Sequence, residues 1–397
     1  MFKLFKNVKG DKVIWAVVIA LSIFSLLAVY SSTGTLAYKY QSGNTEYYML
    51  KHLGILMFGF FLMYIAHLIK YTYYSGISII ALVIAIPLLL FTLVSGTNIN
   101  ETNRWLTVPL VNLTFQTSDF AKIALIMFVA MMLAKKQDQI KGFKEAFIPV
   151  IIPIFIICGL IFPANLSTAA ILFSTSLLLM FIGRINLKYI FGLIGLLIIG
   201  GVLFVTLIYN YPKVGRFGTW KNRIENFRHN DNNVNYQADQ SKIAIASGKF
   251  IGKFPGNSTQ RNYLPHPYSD FIYAIIIEEY GLIGGLFILL LYLILLYRGM
   301  RIASRSSGTF ASLLTMGVCF TLVFQAIINM AVAVGIFPVT GQPLPLISMG
   351  GTSIWFTSIA IGIMLSVSNE IDNDVDIEKA EEVKVVNNID NNVSPAI

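Results

Sequence analysis

The chain has 397 residues, 56% of them hydrophobic and 12% charged, with a formal net charge of +9 and a mean hydropathy of +0.70. Soluble domains carry roughly 25% charged residues, so a soluble globular enzyme and a charged disordered chain are both excluded. Apolar runs of about 20 residues recur, enough to cross a ~30 Å hydrocarbon core as helix. Their continuity points to an all-α integral membrane protein, not to the alternating ten-residue strands of a barrel.

Lys3, Lys6, Lys9 and Lys12 precede the first apolar run. No small-residue cleavage site stands out and further spans follow, so this run reads as an uncleaved helix. Ten helices are expected, approximately at 13–30, 51–69, 76–95, 119–134, 146–162, 165–182, 187–209, 270–297, 309–333 and 349–368. An even number puts both termini on one side. One set of connections holds Lys70, then Lys135, Lys136, Lys141 and Lys144, then Arg184 and Lys188, then Arg298, Arg301 and Arg305. The N-terminal lysines and Lys379 and Lys384 belong with them. The short loops of the other set hold only Lys39, Lys51 and Arg104. The positive-inside rule therefore puts both termini in the cytoplasm.

The connection from about 210 to 269 is expected outside. It still carries Lys213, Arg216, Lys221, Arg223, Arg228, Lys242, Lys249, Lys253 and Arg261 against Glu225, Asp231 and Asp239. Loops this long escape the charge rule. Attraction to anionic lipid heads is the plainer explanation of the charge; a site for a phosphate-bearing anion is the sharper one. Residues 1–369 form the membrane domain. Residues 370–397, rich in Asp, Glu and Asn, read as a disordered acidic cytoplasmic tail. Cys158 and Cys319 lie in apolar segments and fit buried small hydrophobes. His52, His67, His229 and His266 show no metal-ligand spacing. No internal repeat is visible.

Several segments carry candidate chemistry. Lys242, Lys249 and Lys253 stand beside Gly248, Gly252 and Gly256, where ammonium groups and backbone amides can approach one anion. A short interfacial helix over 240–247 with a flexible loop after it explains the same residues without a ligand. Asp270 follows Ser269 at the predicted junction of water and lipid, where a carboxylate is costly without a partner or a task. It is either a helix cap or a general base. Glu278 lies about 12 Å along and about 80° around the same predicted helix, too far for a direct acid/base pair, and Glu279 falls on the opposite face. One of the two is expected to face a polar cavity or pair with a cation. Asn103-Arg104-Trp105 reads as a loop. Asp119 and Lys122 are spaced to pair on one helix face, and Gln325 and Asn329 to bond between helices. The prolines of 337–345 stop the ninth helix, and Gly350-Gly351-Thr352-Ser353 opens the tenth.

In this order, the segments resemble the SEDS family (shape, elongation, division and sporulation), polytopic peptidoglycan glycosyltransferases. The matching pieces are Asn103-Arg104-Trp105 with 116–122, then 240–258, 264–284 and 329–353, the most specific being Ser269-Asp270-Phe271-Ile272-Tyr273 with Glu278-Glu279-Tyr280-Gly281. Gly256-Asn257-Ser258 and Tyr268-Ser269 look more like the division-type FtsW branch than the RodA branch. The resemblance implies that Asp270 is the essential carboxylate and that lipid II is the substrate. It also implies a class B penicillin-binding protein as partner among other divisome membrane proteins, and the bacterial inner membrane at the septum as the location. Membrane lipids are further partners; nucleic acid is not. Departures are Thr117-Ser118-Asp119 for the usual Pro-Ser-Glu, Ala164-Asn165-Leu166-Ser167-Thr168 for Pro-Asp-Leu-Gly-Thr, and Phe254 for a glycine. Asn165 cannot hold a negative charge.

The implied reaction is attack of an acceptor sugar hydroxyl on the donor's anomeric carbon, displacing undecaprenyl pyrophosphate with inversion, with Asp270 as base. The leaving diphosphate needs positive charge, from Lys242, Lys249, Lys253, Arg216 or a divalent ion. Arg104, Lys122, Ser258, Glu278 and Asn329 complete the expected substrate-binding set. No cofactor is required by the pattern, with Mg2+ or Mn2+ kept as a candidate. A lipid II flippase and a non-catalytic scaffold for a penicillin-binding protein are the alternatives.

Overall fold

The computed structural model describes residues 10–99, 102–108, 113–211, 218, 221, 225 and 236–371. Among them, nine helices are long and apolar enough to cross a membrane. They are α1 (Lys12–Ser32), α3 (Thr45–Leu68), α4 (Tyr73–Ser95), α5 (Thr117–Lys135), α6 (Ile148–Ile161, entered through a π-turn at Phe143–Phe147), α8 (Leu187–Asn210), α10 (Ile272–Arg305), α11 (Thr309–Ala333) and α12 (Gly351–Ile371). The shorter α7 (Leu166–Ile182, 17 residues) is also apolar. These ten correspond to the ten runs read from hydropathy. The acidic tail beyond 371 lies outside the described residues.

Lipid rewards apolar side chains on every face, so burial shows the centre of the bundle where hydropathy does not. The core of α12 is 78% buried and that of α8 only 11%. α5, α11 and α12 are central; α8 lies at the edge, against α7. Small residues set the close approaches. A Cβ at Gly299 of α10 would meet Cys319 Sγ of α11 at 2.5 Å, and one at Gly362 of α12 would meet the Met63 carbonyl oxygen of α3 at 2.5 Å. Cys158 and Cys319 are free and buried.

Gly10 packs against the Leu365 carbonyl, so the first and last described helices have their outer ends together. At this terminal end, Asp11 caps α1 by accepting from Val13 N and Ile14 N, and it accepts from Arg298 Nε at 2.7 Å. At the other end, the loop end, Ser31 donates to Glu279. α1 therefore runs antiparallel to the second part of α10.

Three features differ from the sequence reading. First, Asn103-Arg104-Trp105 is not a loop. It lies in β2 (Thr102–Val108), between β1 (Thr97–Ile99) and β3 (Leu113–Gln116), in an antiparallel sheet where Trp105 pairs with Gln116. A short helix α2 (Gly34–Tyr40) also caps the loop end.

Second, α10 does not run on from residue 270. It starts at Ile272 and breaks at Gly281 (φ 70°, ψ −174°). The Tyr273 hydroxyl donates to the Gly285 carbonyl, 12 residues on, at 3.1 Å. In a straight helix these positions are about 18 Å apart, so the short arm 272–280 folds back against the long arm 282–305. The large loop fills the breach. Leu282 N donates to the Lys249 carbonyl (2.9 Å) and Lys253 N to the Glu278 carbonyl (2.9 Å). These bonds satisfy groups that a helix break orphans. Only glycine fits here, because a Cβ on Gly252 or Gly281 would come within 2.2 Å of a carbonyl oxygen on the facing segment.

Third, the segment after α11 does more than stop a helix. Its prolines forbid helix, and it threads back into the bundle. Ser25 of α1 donates to the Ile347 carbonyl (2.8 Å) and Tyr292 of α10 to the Pro345 carbonyl. Ser25 is about two turns below the end of α1, so 342–348 lies at depth. Irregular backbone is tolerated there because side chains take up its polar groups. Over this assembly lies α9 (Tyr236–Gly248), whose Ser241 donates to the Ala333 carbonyl at 2.7 Å.

Candidate active site

The backfolded arm decides where Asp270 stands. The residue sits two positions before α10, at the foot of the short arm, where Phe271 packs with Leu264, Ile275 and Val332. The foot is pinned by the re-entrant segment and by α11. Ser348 Oγ donates to the Ser269 carbonyl (2.6 Å), Met349 N to the Tyr268 carbonyl (2.9 Å), and Asn329 Nδ2 to the Asp270 carbonyl (2.9 Å) and the Gln342 carbonyl (2.7 Å). Ser269 Oγ donates to Asp270 Oδ1 at 3.0 Å. Gly341, at φ +65°, faces the carboxylate: a Cβ there would be 3.6 Å from Oδ2. The side chain is half-buried. It lies in the loop-end half of the bundle, between the re-entrant segment and α11.

Tyr268 is half-buried, with His266 Nδ1 3.1 Å from its hydroxyl. Burial pushes this phenol up, and the charges of Tyr40, Tyr48 and Asp270 add to the effect. It therefore presents a neutral hydroxyl beside the carboxylate at neutral pH.

One turn from Asn329 along α11, Gln325 accepts from Lys122 Nζ at 3.0 Å and donates to the Pro343 carbonyl at 2.9 Å. Lys122 also pairs with Asp119 at 2.8 Å, as their spacing predicted. These side chains, with Ser353 and Thr357, line a small, largely apolar cleft between α5, α11 and α12 whose other walls include Ile126, Val318 and Phe356. Gln342 links it to α7 by donating to Thr168 Oγ1 at 2.7 Å, while Asn165 caps that helix by accepting from Thr168 N. Asn165 thus does the work of a cap, for which no negative charge is needed.

Of the expected substrate-binding residues, Asn329 touches the Asp270 backbone and Lys122 lies in the adjoining cleft. Lys253, Ser258 and Glu278 come together in a separate cluster: Glu278 accepts from Lys253 Nζ (2.6 Å) and Ser258 Oγ (2.5 Å). Glu278 is the acid that pairs with a cation. Lys242 lies over Gly335 and within 3.8 Å of Asp239. Lys249 is exposed on the turn after α9. Arg104 stands in β2, with its side chain outside the described set, and Arg216 lies outside the described residues. Sequence reasoning gave no role to Gly341, Gln342 or Ser348. Their signals were the dense Pro-Gly-Pro pattern and their place in the matching stretch 329–353. Among the described residues no group of three or more His, Cys, Asp or Glu gathers that could hold a metal.

Residues 11–373 match the model of the FtsW/RodA/SpoVE cell cycle protein family. The chain belongs to that family. Among its relatives, "Probable peptidoglycan glycosyltransferase FtsW" of Geobacter metallireducens is 32% identical over 366 residues, 91% of this chain and 95% of that protein. "Stage V sporulation protein E" of Bacillus subtilis is 30% identical over 375 residues, 91% of this chain and 98% of that one. The FtsW/RodA/SpoVE fold is also that of solved structures. A chain of a peptidoglycan synthase complex superposes with a TM-score of 0.74 at 20% identity, covering 92% of this chain and 99% of that one. Thermus thermophilus RodA superposes with a TM-score of 0.64 at 22% identity, covering 92% and 98%.

Proposed function

We propose that this FtsW/RodA/SpoVE protein is a peptidoglycan glycosyltransferase that polymerises lipid II, with Asp270 as general base. The observation that carries the reading is the placement of Asp270. Its carboxylate is held at the foot of a backfolded arm, with the backbone fixed by Asn329 and Ser348, at the end that bears the large basic loop. Relatives named as peptidoglycan glycosyltransferases support the chemistry.

The acceptor's sugar hydroxyl gives its proton to the Asp270 carboxylate as its oxygen bonds to the donor's anomeric carbon. The bond from that carbon to the diphosphate oxygen breaks, and the electron pair leaves with undecaprenyl pyrophosphate, inverting the centre. Diphosphate is a good leaving group, so a second carboxylic acid of the kind glycosidases use is not needed. Charge compensation is needed instead. Lys122 and Lys253 are each within 2.8 Å of a carboxylate, which leaves Lys249, Lys242 and Arg216 as the first candidates. A divalent ion, Mg2+ or Mn2+, bound with the diphosphate would supply the same compensation.

In this reading the loop end faces outward, both termini are cytoplasmic, and the membrane is the bacterial inner membrane at the division septum. The solved peptidoglycan synthase complex supports a class B penicillin-binding protein as partner. A transporter that flips the lipid-linked precursor would also use charges buried among membrane helices, such as Asp119 and Lys122. Purified protein incubated with lipid II in detergent, where no compartments exist, separates the two. Glycan chains with wild type and none with Asp270→Ala at equal protein level are expected. Chains formed by Asp270→Ala would remove the assigned base, and no chains from wild type, with or without partner, would favour the flippase.

A further inference from the structure

Glu278 was a candidate for touching substrate, but it is 0% exposed and its partners come from α9 and the large loop. Its carboxylate accepts from Lys253 Nζ (2.6 Å), Ser258 Oγ (2.5 Å), Thr259 Oγ1 (2.9 Å), Thr259 N (3.1 Å), Gln260 N (3.2 Å) and Ser247 Oγ (3.3 Å). Its neighbour Glu279, 1% exposed, accepts from Ser31 Oγ and Ser258 N, while Arg261 donates to the Ser31 carbonyl. The loop strand that fills the breach at Gly281 gains little from apolar burial, because Phe250, Ile251 and Phe254 are 72%, 68% and 67% exposed. Charge-assisted hydrogen bonds in a buried site are the strong kind. The two glutamates therefore hold this strand in place.

We infer that Glu278 is a positioning residue: by clamping Lys253, Ser258 and Thr259 it seats the loop in the helix breach and so fixes the angle of the arm whose foot carries Asp270. The short arm is about 13 Å long, and its head is the breach. A tilt of about 5° at the head moves the foot by about 1 Å. Displacements of that size cost about 100-fold in rate when a reacting group is misplaced. The role of Asp270 in this inference rests on the proposed glycosyltransfer.

The test uses the full-length protein with lipid II. Glu278→Gln is expected to lower kcat about 100-fold and to leave KM within about threefold. Lys253→Met is expected to lower kcat as well, and the double variant to be no worse than Glu278→Gln alone, since both act through one contact. A raised KM with kcat kept, or losses that multiply, would overturn the inference. A second measurement does not depend on turnover. In an Asp270→Asn background, hydrogen exchange over 249–261 and 270–280 is compared with and without Glu278→Gln. Faster exchange in both stretches is expected. Unchanged exchange over 270–280 would refute the coupling, whatever the polymerisation assay says of Asp270.

Discussion

Replacing Gly281 with alanine puts a methyl group where the structure leaves no room. The residue has φ 70° and ψ −174°, a region that side-chain-bearing residues avoid at a cost of about 1–3 kcal/mol. The new Cβ would also stand 2.2 Å from the Phe250 carbonyl oxygen and 2.5 Å from the Ile251 carbonyl carbon. A carbon–oxygen contact needs roughly 3.3 Å, so the loop strand must retreat by about 1 Å, and backbone cannot yield as a flexible side chain would. Gly256 is the control. It too has a positive φ, 84°, but a Cβ there would meet nothing within 4 Å. Gly256→Ala therefore adds strain of about 1 kcal/mol without displacement. Thermal unfolding in detergent and lipid II polymerisation are measured for both. Gly281→Ala is expected to melt several degrees below Gly256→Ala and to lose about 100-fold in kcat, with Gly256→Ala within about threefold of wild type. Equal behaviour of the two variants would show that the inserted loop is not held against the breach.

Asp270→Ala and Asp270→Asn should both abolish polymerisation without lowering the amount of folded protein, read by size-exclusion chromatography beside the assay. Asn329→Ala removes the donor shared by the Asp270 and Gln342 carbonyls; at about 1–3 kcal/mol per buried group left unpaired, a drop in unfolding temperature and a fall in kcat of at least tenfold are expected. Asn329→Asp should fare no better, because it offers no second donor. Lys122→Met leaves Asp119, 3% exposed, without its cation, a change that costs about 3–5 kcal/mol at buried pairs. Adding Asp119→Asn should recover most of that stability, and failure to recover would mean that Lys122 is not held chiefly by this pair.

The spans were legible because lipid imposes a simple rule: apolar residues for about 20 positions. Local pairings were legible where spacing alone sets them, as for Asp119 and Lys122; for Glu278 and Glu279 the sequence showed that one of the two needs a cation or a polar cavity, not that Glu278 takes Lys253. The backfolded arm was not. Gly281 reads like any glycine in a membrane helix, and its positive φ depends on Lys249–Lys253, far back in the chain, entering the breach. The sheet at 97–116 was hidden for another reason: short strands rich in Thr and Asn carry no alternation strong enough to separate them from a loop. The prolines at 338, 343 and 345 showed that a helix ends. They could not show that the following residues dive inward, because the groups that welcome them, Ser25, Tyr292, Gln325 and Asn329, sit on three other stretches of sequence. The site around Asp270 is built mostly from such distant meetings.

The re-entrant strand has a mechanical corollary. It has no ladder of its own, so its shape is an imprint of the helices around it. Ser25 and Tyr292 grip it from two antiparallel neighbours, α1 and α10. Sliding either helix by one residue, about 1.5 Å, would pull one grip away from the other and shear the strand that walls the carboxylate, whereas a small outward sway of both would carry the strand along. This bundle should therefore accommodate lateral breathing far more readily than axial slip.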